Sequence, residues 1–134
     1  IIESTVADYI QTYQERTDWE KLVSFYSDTL HFEDINLGLK MEGIEAFKKF
    51  YDWPNPDFQK LTPEQLIFKT EAILIQRNQA IIRGHFEPFI WKGERQEWAG
   101  DFVFWLYFNK AGKIVEQLDY VKYPSWIIKS TEKE

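Results

Sequence analysis

Few side chains in this sequence could do chemistry, and several reaction classes fall away on residue type alone. There is no cysteine, which removes disulfides, thiol catalysis and thiolate metal sites. The two histidines, His31 and His85, are far apart, and no histidine pair has helical ligand spacing, so no metal site is expected. Ser24, Ser27 and Ser125 lack the glycines of a nucleophile elbow, and no phosphate loop or dinucleotide glycine fingerprint is present. What remains is carboxylates beside aromatic rings. Asp34 lies near the end of a run, Leu30 to Asn36, that reads as a short strand. Asp119 sits between Leu118 and Tyr120 in a second strand. A carboxyl group in an apolar pocket keeps its proton to higher pH than in water, which suits acid or base work near neutrality. The plainer readings are a helix cap or a solvent-facing group for Asp34, and a lysine partner on a sheet face for Asp119.

Strand alternation sorts the other polar candidates. His31 and Glu33 fall on the face opposite Asp34. His85 shares a face with Arg83 and Glu87, while Ile82, Phe86 and Ile90 form the other, so the pattern puts the polar set outside. Pro88 marks a possible bulge in that strand.

These residues must be positioned by the elements around them. A first helix spans about Ser4 to Arg16, with Val6, Ile10 and Tyr13 on one face. Thr17 reads as the N-cap of a second helix, with Glu20 completing a capping box. Trp19, Leu22, Val23 and Tyr26 form its apolar stripe. Gly43 opens a third helix with Ile44, Phe47, Phe50 and Tyr51 inward, and Trp53-Pro54 ends it. Asn55 to Leu61 is a loop, and Thr62-Pro63-Glu64-Gln65 has the signals of one helical turn. Strands then cover Leu66 to Gln76, Ala80 to Trp91, Glu97 to Asn109 and Ile114 to Lys122, joined by turns at Arg77-Asn78-Gln79, Lys92-Gly93 and Lys110-Ala111-Gly112. Helices first and strands after argue for an α+β fold. Residues beyond Lys129 are charged and expected to fray.

The length, 134 residues, fits one domain over 1–134, and 44% hydrophobic with 28% charged residues is ordinary for a globular protein. The 11 Phe, 7 Tyr and 6 Trp exceed what a simple core needs, and surplus rings line pockets and interfaces. A net charge of −6 without a basic run argues against nucleic acid and anionic membranes as partners, and no run is long enough to span a bilayer. A cytoplasmic location is expected. The chain opens at Ile1, not Met, so an exported form stays open. Along Asp101 to Asn109, Phe102, Phe104, Leu106 and Phe108 share one face, and Asp101, Val103, Trp105 and Tyr107 the other. The second face is too apolar for plain solvent, and a homodimer through Trp105 and Tyr107 is expected there.

The order helix-helix-strand-helix followed by a four-strand meander resembles the nuclear transport factor two-like superfamily. Within it, the segment Asp18 to Asp28 is similar to the second helix of ketosteroid isomerase and the SnoaL-like polyketide cyclases. Leu30 to Asp34 resembles their Glu-Asp strand end. Gly43, Ala46, Phe47, Phe50 and Tyr51 resemble their glycine-opened third helix, and Phe108 to Ile114 their last hairpin. The resemblance implies a cone-shaped α+β barrel in which three N-terminal helices pack on a curved, mainly antiparallel sheet and enclose a pocket. It supports fold more than chemistry, because this superfold hosts many activities.

The resemblance places Asp34 at the general base, which removes a proton beside a carbonyl, and Tyr26 and Tyr51 at supporting tyrosines. The donors that steady the enolate are replaced: the catalytic Tyr aligns with Ile10 and the protonated Asp with Phe104, each exchange removing about 3 kcal/mol of transition-state stabilisation. Tyr13 or Tyr26 is the candidate substitute donor. Matching from the Lys92-Gly93 turn puts His85 and Glu87 in the pocket, one residue out of step with their own strand pattern. The same match turns Asp119 and Gln117 inward, and Trp53, Trp98 and Phe104 are candidate walls. The expectation is a small hydrophobic ligand, without cofactor. Asp34 acts on it by general-base chemistry of isomerase, cyclase or dehydratase type, or the protein binds the ligand without turnover.

Overall fold

The computed structural model describes residues 2–98 and 100–127. Helix α1 (Glu3–Glu15) buries Val6, Tyr9, Ile10 and Thr12, the helical spacing of one face. It stops at Arg16, which takes a left-handed conformation (φ 49°) and returns its N–H to Thr12 O at 3.1 Å. Helix α2 (Trp19–Ser24) is capped by Asp18, whose side chain accepts from Lys21 N at 3.0 Å. Thr17, expected as the cap, lies one residue outside. The stripe also overran: Tyr26 is buried, but it opens strand β1 (Tyr26–Asp34) instead of closing the helix.

A hairpin leads to β2 (Leu39–Glu42), a short strand absent from the sequence reading. Gly43, at φ 86°, then turns the chain into α3 (Ile44–Phe50), a conformation a side chain resists. That helix ends before Trp53. The remaining strands are β3 (Phe58–Gln59), β4 (Phe68–Gln76), β5 (Gln79–Phe86), β6 (Phe89–Trp91), β7 (Glu94–Gln96), β8 (Asp101–Phe108) and β9 (Ile114–Val121). The turn expected near Thr62 is not helical. Gln65 N reaches Thr62 O at 3.2 Å, and Gln65 Oε1 accepts from Leu61 N at 2.7 Å.

Six strands form a curved sheet in the order β2-β1-β9-β8-β5-β4, and β3-β6-β7 form a second, small sheet. All pairs are antiparallel except β1 with β9. The fold is thus α+β with helices on a curved, mostly antiparallel sheet. The expected barrel is corrected: the sheet is not closed, and β2 and β4 are its edges. The long strand expected from Ala80 to Trp91 is also two. Proline has no N–H for a ladder, and at Pro88 the chain leaves the large sheet and joins the small one, where Phe58 faces Trp91. Lys92 and Gly93, both at positive φ, make the tight turn into β7.

The inner face of β8 carries Phe102, Phe104, Leu106 and Phe108, all buried with Ile82, Phe68, Leu30 and Phe32 under the helices. Each such ring contributes about 1.5–3 kcal/mol by leaving water. Among the described residues no helix is long and apolar enough to cross a membrane. The curvature has a visible device. β4 slips register between Thr70 and Ala72, and Gly84 faces Thr70 at that bulge. A Cβ at position 84 would stand 2.2 Å from Lys69 O and 2.7 Å from Phe102 Cζ. Gly84→Ala is expected to cost about 1–3 kcal/mol, the usual penalty of overpacking. Urea denaturation reads this directly; an unchanged midpoint would show that the bulge yields freely.

Candidate functional site

The inner face meets the chain's buried acids where β1 runs beside β9. Their parallel register sets Asp34 against Asp119 and Phe32 against Gln117. Both acids are buried, with 2% and 3% of their surface exposed. Asp34 is held from two sides. Its Oδ1 accepts from Leu37 N at 3.2 Å, and its Oδ2 accepts a short hydrogen bond from Tyr123 OH. The loop that supplies Leu37 is tied down: Ile35 N bonds Asp119 O at 2.9 Å and Asn36 Nδ2 bonds Val121 O at 2.6 Å. Asp119 Oδ1 accepts from Gln117 Nε2 at 2.8 Å. Gln117 Oε1 in turn accepts from Tyr26 OH at 2.7 Å and Tyr9 OH at 3.1 Å, and those hydroxyls lie 3.0 Å apart.

Burial raises the pKa of both carboxyl groups, and raises Asp119 the more strongly. Tyr123 and the backbone N–H groups oppose the rise at Asp34. At Asp119 Gln117 opposes it, while the charge of Asp34 adds to it. The bias of the pair is therefore divided: Asp119 is held the more strongly toward its protonated form, and Asp34 gives up its proton first. Burial also raises Tyr9, Tyr26, Tyr51 and Tyr123, so these phenols stay protonated and act as donors.

A cavity of about 350 Å³ opens at Asp34. Tyr51, Trp98 and Tyr123 border it near the acid, with Phe86 and Phe89 as walls, and Phe50, Trp91 and Trp126 at more exposed positions. Among the described residues no lysine, arginine or histidine lines it. Behind the lining, Arg16 lies over the rings of Phe58 and Trp53 at 4.1 and 5.0 Å, with its pKa lowered to about 10 by burial, and Lys92 Nζ lies 5.7 Å from the Trp91 ring. A second, more open hollow of about 510 Å³ lies on the outer sheet face near Arg83, Asp101 and Lys122, and none of its charged groups is buried. Among the described residues no cluster of three or more His, Cys, Asp or Glu could hold a metal ion.

Of the residues singled out from the sequence, Asp34, Tyr51 and Trp98 line the cavity. Asp119 lies behind it as Asp34's neighbour, and Tyr26 reaches Asp119 only through Gln117. Tyr13 stacks on Phe104 at 5.6 Å, deep among rings, and Phe104 is core. Trp53 packs on Trp19 and Tyr13 instead of standing at the mouth, because α3 ends early and the chain folds back on α1. His85 and Glu87 lie on the other face of the sheet. His85 Nδ1 meets Glu71 Oε1 at 3.0 Å, and Lys69 Nζ lies 3.4 Å from Glu87 Oε1. The pocket alternative for that pair is thereby corrected: the break at Pro88 makes counting back from the Lys92-Gly93 turn slip by one face. His31 likewise binds Glu33 and Glu42 away from Asp34. Tyr123 was missed. It follows β9, and only its distance from Asp34 in space gives it meaning.

Residues 6–117 match the SnoaL-like domain, and the chain belongs to that family. Among solved structures it is similar to two proteins assigned as SnoaL-like polyketide cyclases. The one from Shewanella denitrificans OS-217 is 16% identical with TM-score 0.75, covering 99% of this chain and 98% of the other. The one from Shewanella putrefaciens CN-32 is 16% identical with TM-score 0.74, covering 99% and 97%. A Kribbella flavida protein assigned as a ketosteroid isomerase is 15% identical with TM-score 0.66, covering 92% and 78%. At such identities the likeness carries the fold. No functionally curated protein matches the sequence.

The buried pair sets a pH dependence. The folded pKa of Asp119 lies above its unfolded value, so the stabilisation belongs to the protonated form: present in full at low pH, lost as pH rises through the folded pKa. Across that window each pH unit costs about 1.4 kcal/mol. Asp119→Asn, which keeps an acceptor for Gln117, is expected to flatten the decline and to match the parent at acid pH. Urea denaturation across a pH series measures both slopes; parallel slopes would mean that Asp119 carries no such burden.

Proposed function

We propose that the protein is a small enzyme that binds a hydrophobic, carbonyl-bearing molecule in the aromatic cavity and removes a proton beside the carbonyl with Asp34. The observation that carries this reading is Asp34 itself: a carboxylate in an apolar cavity, its orientation fixed by Tyr123 and Leu37 N and its pKa raised toward neutrality by burial. In the step, a C–H bond next to the carbonyl breaks and the proton passes to Asp34. The electron pair becomes the enolate C=C, and negative charge collects on oxygen. Asp34 returns the proton to another atom in an isomerisation, or the enolate carbon attacks a second carbonyl of the same molecule, whose π pair moves to its oxygen and takes the proton back from Asp34, in a ring closure. The likeness to SnoaL-like cyclases and a ketosteroid isomerase is consistent with either outcome. Asp119, adjacent and held toward its protonated form by burial, limits a second negative charge beside Asp34.

A 2-acetylnaphthalene probe deuterated at its methyl group tests the step without knowledge of the natural substrate. The protein is expected to speed deuterium loss to water, and Asp34→Asn to reduce that rate by about 100-fold or more. Binding without exchange would favour the second reading, a ligand-binding protein of the same fold. The apolar Ile10 and Phe104, at the positions of the family donors, favour that reading. No binding would remove both.

We also propose that a second copy of the chain covers the outer sheet face. Register aligns Leu74, Ile81, Trp105 and Leu118 in one apolar row across four strands, with Trp105 and Tyr107 stacked at 5.7 Å. Flanking charges of both signs, Arg83 and Lys122 with Glu71 and Asp101, suit a self-complementary interface. Sedimentation should report a dimer, and Trp105→Glu with Leu74→Glu a monomer; a monomeric parent would end this proposal.

A further inference from the structure

The ligand site needs donors for the oxygen on which charge would collect, and the positions that supply them in the resembling enzymes hold Ile10 and Phe104. The cavity wall contains a side chain with that capacity. The indole Nε1 of Trp98 is buried, with less than 1 Å² accessible, and has no hydrogen-bond partner among the described residues. An unmet buried N–H carries the full cost of its lost hydration, so folded proteins rarely keep one without use.

The ring's placement is not free. A Cβ added at Gly100 would lie 1.9 Å from Trp98 Cζ3 and 2.5 Å from Cε3, so that edge of the indole is seated on the glycine backbone. Nε1 lies on the opposite edge of the ring system, turned away from that backbone. Phe86, Phe89 and Tyr123 surround the ring at 5.9, 6.0 and 5.9 Å, and all three line the same cavity as Asp34. They offer no acceptor to the indole except the Tyr123 hydroxyl, which is engaged with Asp34. Tyr51, the other phenol on the cavity, has no hydrogen bond among the described residues.

We infer that Trp98 Nε1–H, once a small shift of the ring uncovers it, is the donor for an acceptor oxygen of the ligand, with Tyr51 OH as its second, replacing the donor pair lost at Ile10 and Phe104. The ligand class narrows accordingly, to apolar molecules carrying a ketone, enone or similar acceptor within reach of both Asp34 and Trp98. This rests on the cavity being a small-molecule site. In the proton-transfer reading the same N–H would hold the enolate oxygen; in the binding reading it would hold the carbonyl.

Two probes of one shape separate the donor from the cavity: 2-acetylnaphthalene and 2-isopropenylnaphthalene, which carries CH₂ where the ketone has oxygen. Dissociation constants are measured for both with the parent and with Trp98→Phe. Losing one neutral hydrogen bond should weaken the ketone by about 3- to 10-fold more than the alkene. In the unaltered protein, the ketone should move the Trp98 indole ¹H–¹⁵N resonance downfield and the alkene should not, a readout independent of whether the variant folds. Equal losses for both probes, or equal indole shifts, would overturn the donor role while leaving the cavity intact. Failure of both probes to bind would overturn the cavity reading beneath it.

Discussion

Two carboxyl groups side by side in an apolar interior cannot both carry charge without heavy cost, and the rest of this site follows from that constraint. The pairing of β1 with β9 is the one parallel contact in the large sheet, and it sets Asp34 against Asp119 on the same face. Burial alone would raise both pKa values together. The difference lies in their partners. Asp34 faces donors on both oxygens and opens to a cavity, whereas Asp119 has Gln117 and feels the charge beside it. One acid is thus favoured to ionise and the other to keep its proton, by environment instead of by residue type.

The hydrogen-bonded row behind Asp119 explains why α1 is needed. Tyr9, on that helix, and Tyr26, at the start of β1, both donate to Gln117, which spends its amide on Asp119. Every buried polar group in the row has a partner, as a low-dielectric interior requires. The same row explains why Tyr26 is no direct actor at the cavity. Its hydroxyl is committed to Gln117. Tyr123, just past the end of β9, is instead the tyrosine that bonds Asp34.

How much of this could be read from the sequence depends on how local each feature is. The face assignment of β8 followed from alternation, since each inward Phe is two residues from the next. Asp34 and Asp119 were both found through resemblance. Tyr26 was counted to a helix because position i+7 of a helical stripe and the first residue of a strand can both be buried. β2 escaped because four residues with two charges carry no pattern. The small sheet was invisible for a stronger reason. It needs Phe58 to find Trp91 across a loop, and Pro88 tells only that a strand must break, not where the chain goes next. Trp98 was placed on the wall, but its unmet N–H is a property of its neighbours and could not be read from its type.

The exposed rings complete the logic of the cavity. Phe50, Trp91 and Trp126 line it and remain 53%, 38% and 47% exposed, while the deep end holds Asp34 at 2%. Apolar surface left in water at a concave mouth is surface that a ligand can cover, at about 25 cal/mol per Å². Such a gradient orients what enters. The greasy body stays among the outer rings, and whatever polar atom it carries is delivered to the only part of the cavity that can answer it. Among the described residues no cation stands on the lining, so an anionic ligand finds no charge there to offset Asp34 once it ionises. The gradient and the carboxylate together therefore select a neutral molecule with one polar end, which is the kind of molecule that a single positioned base can act upon.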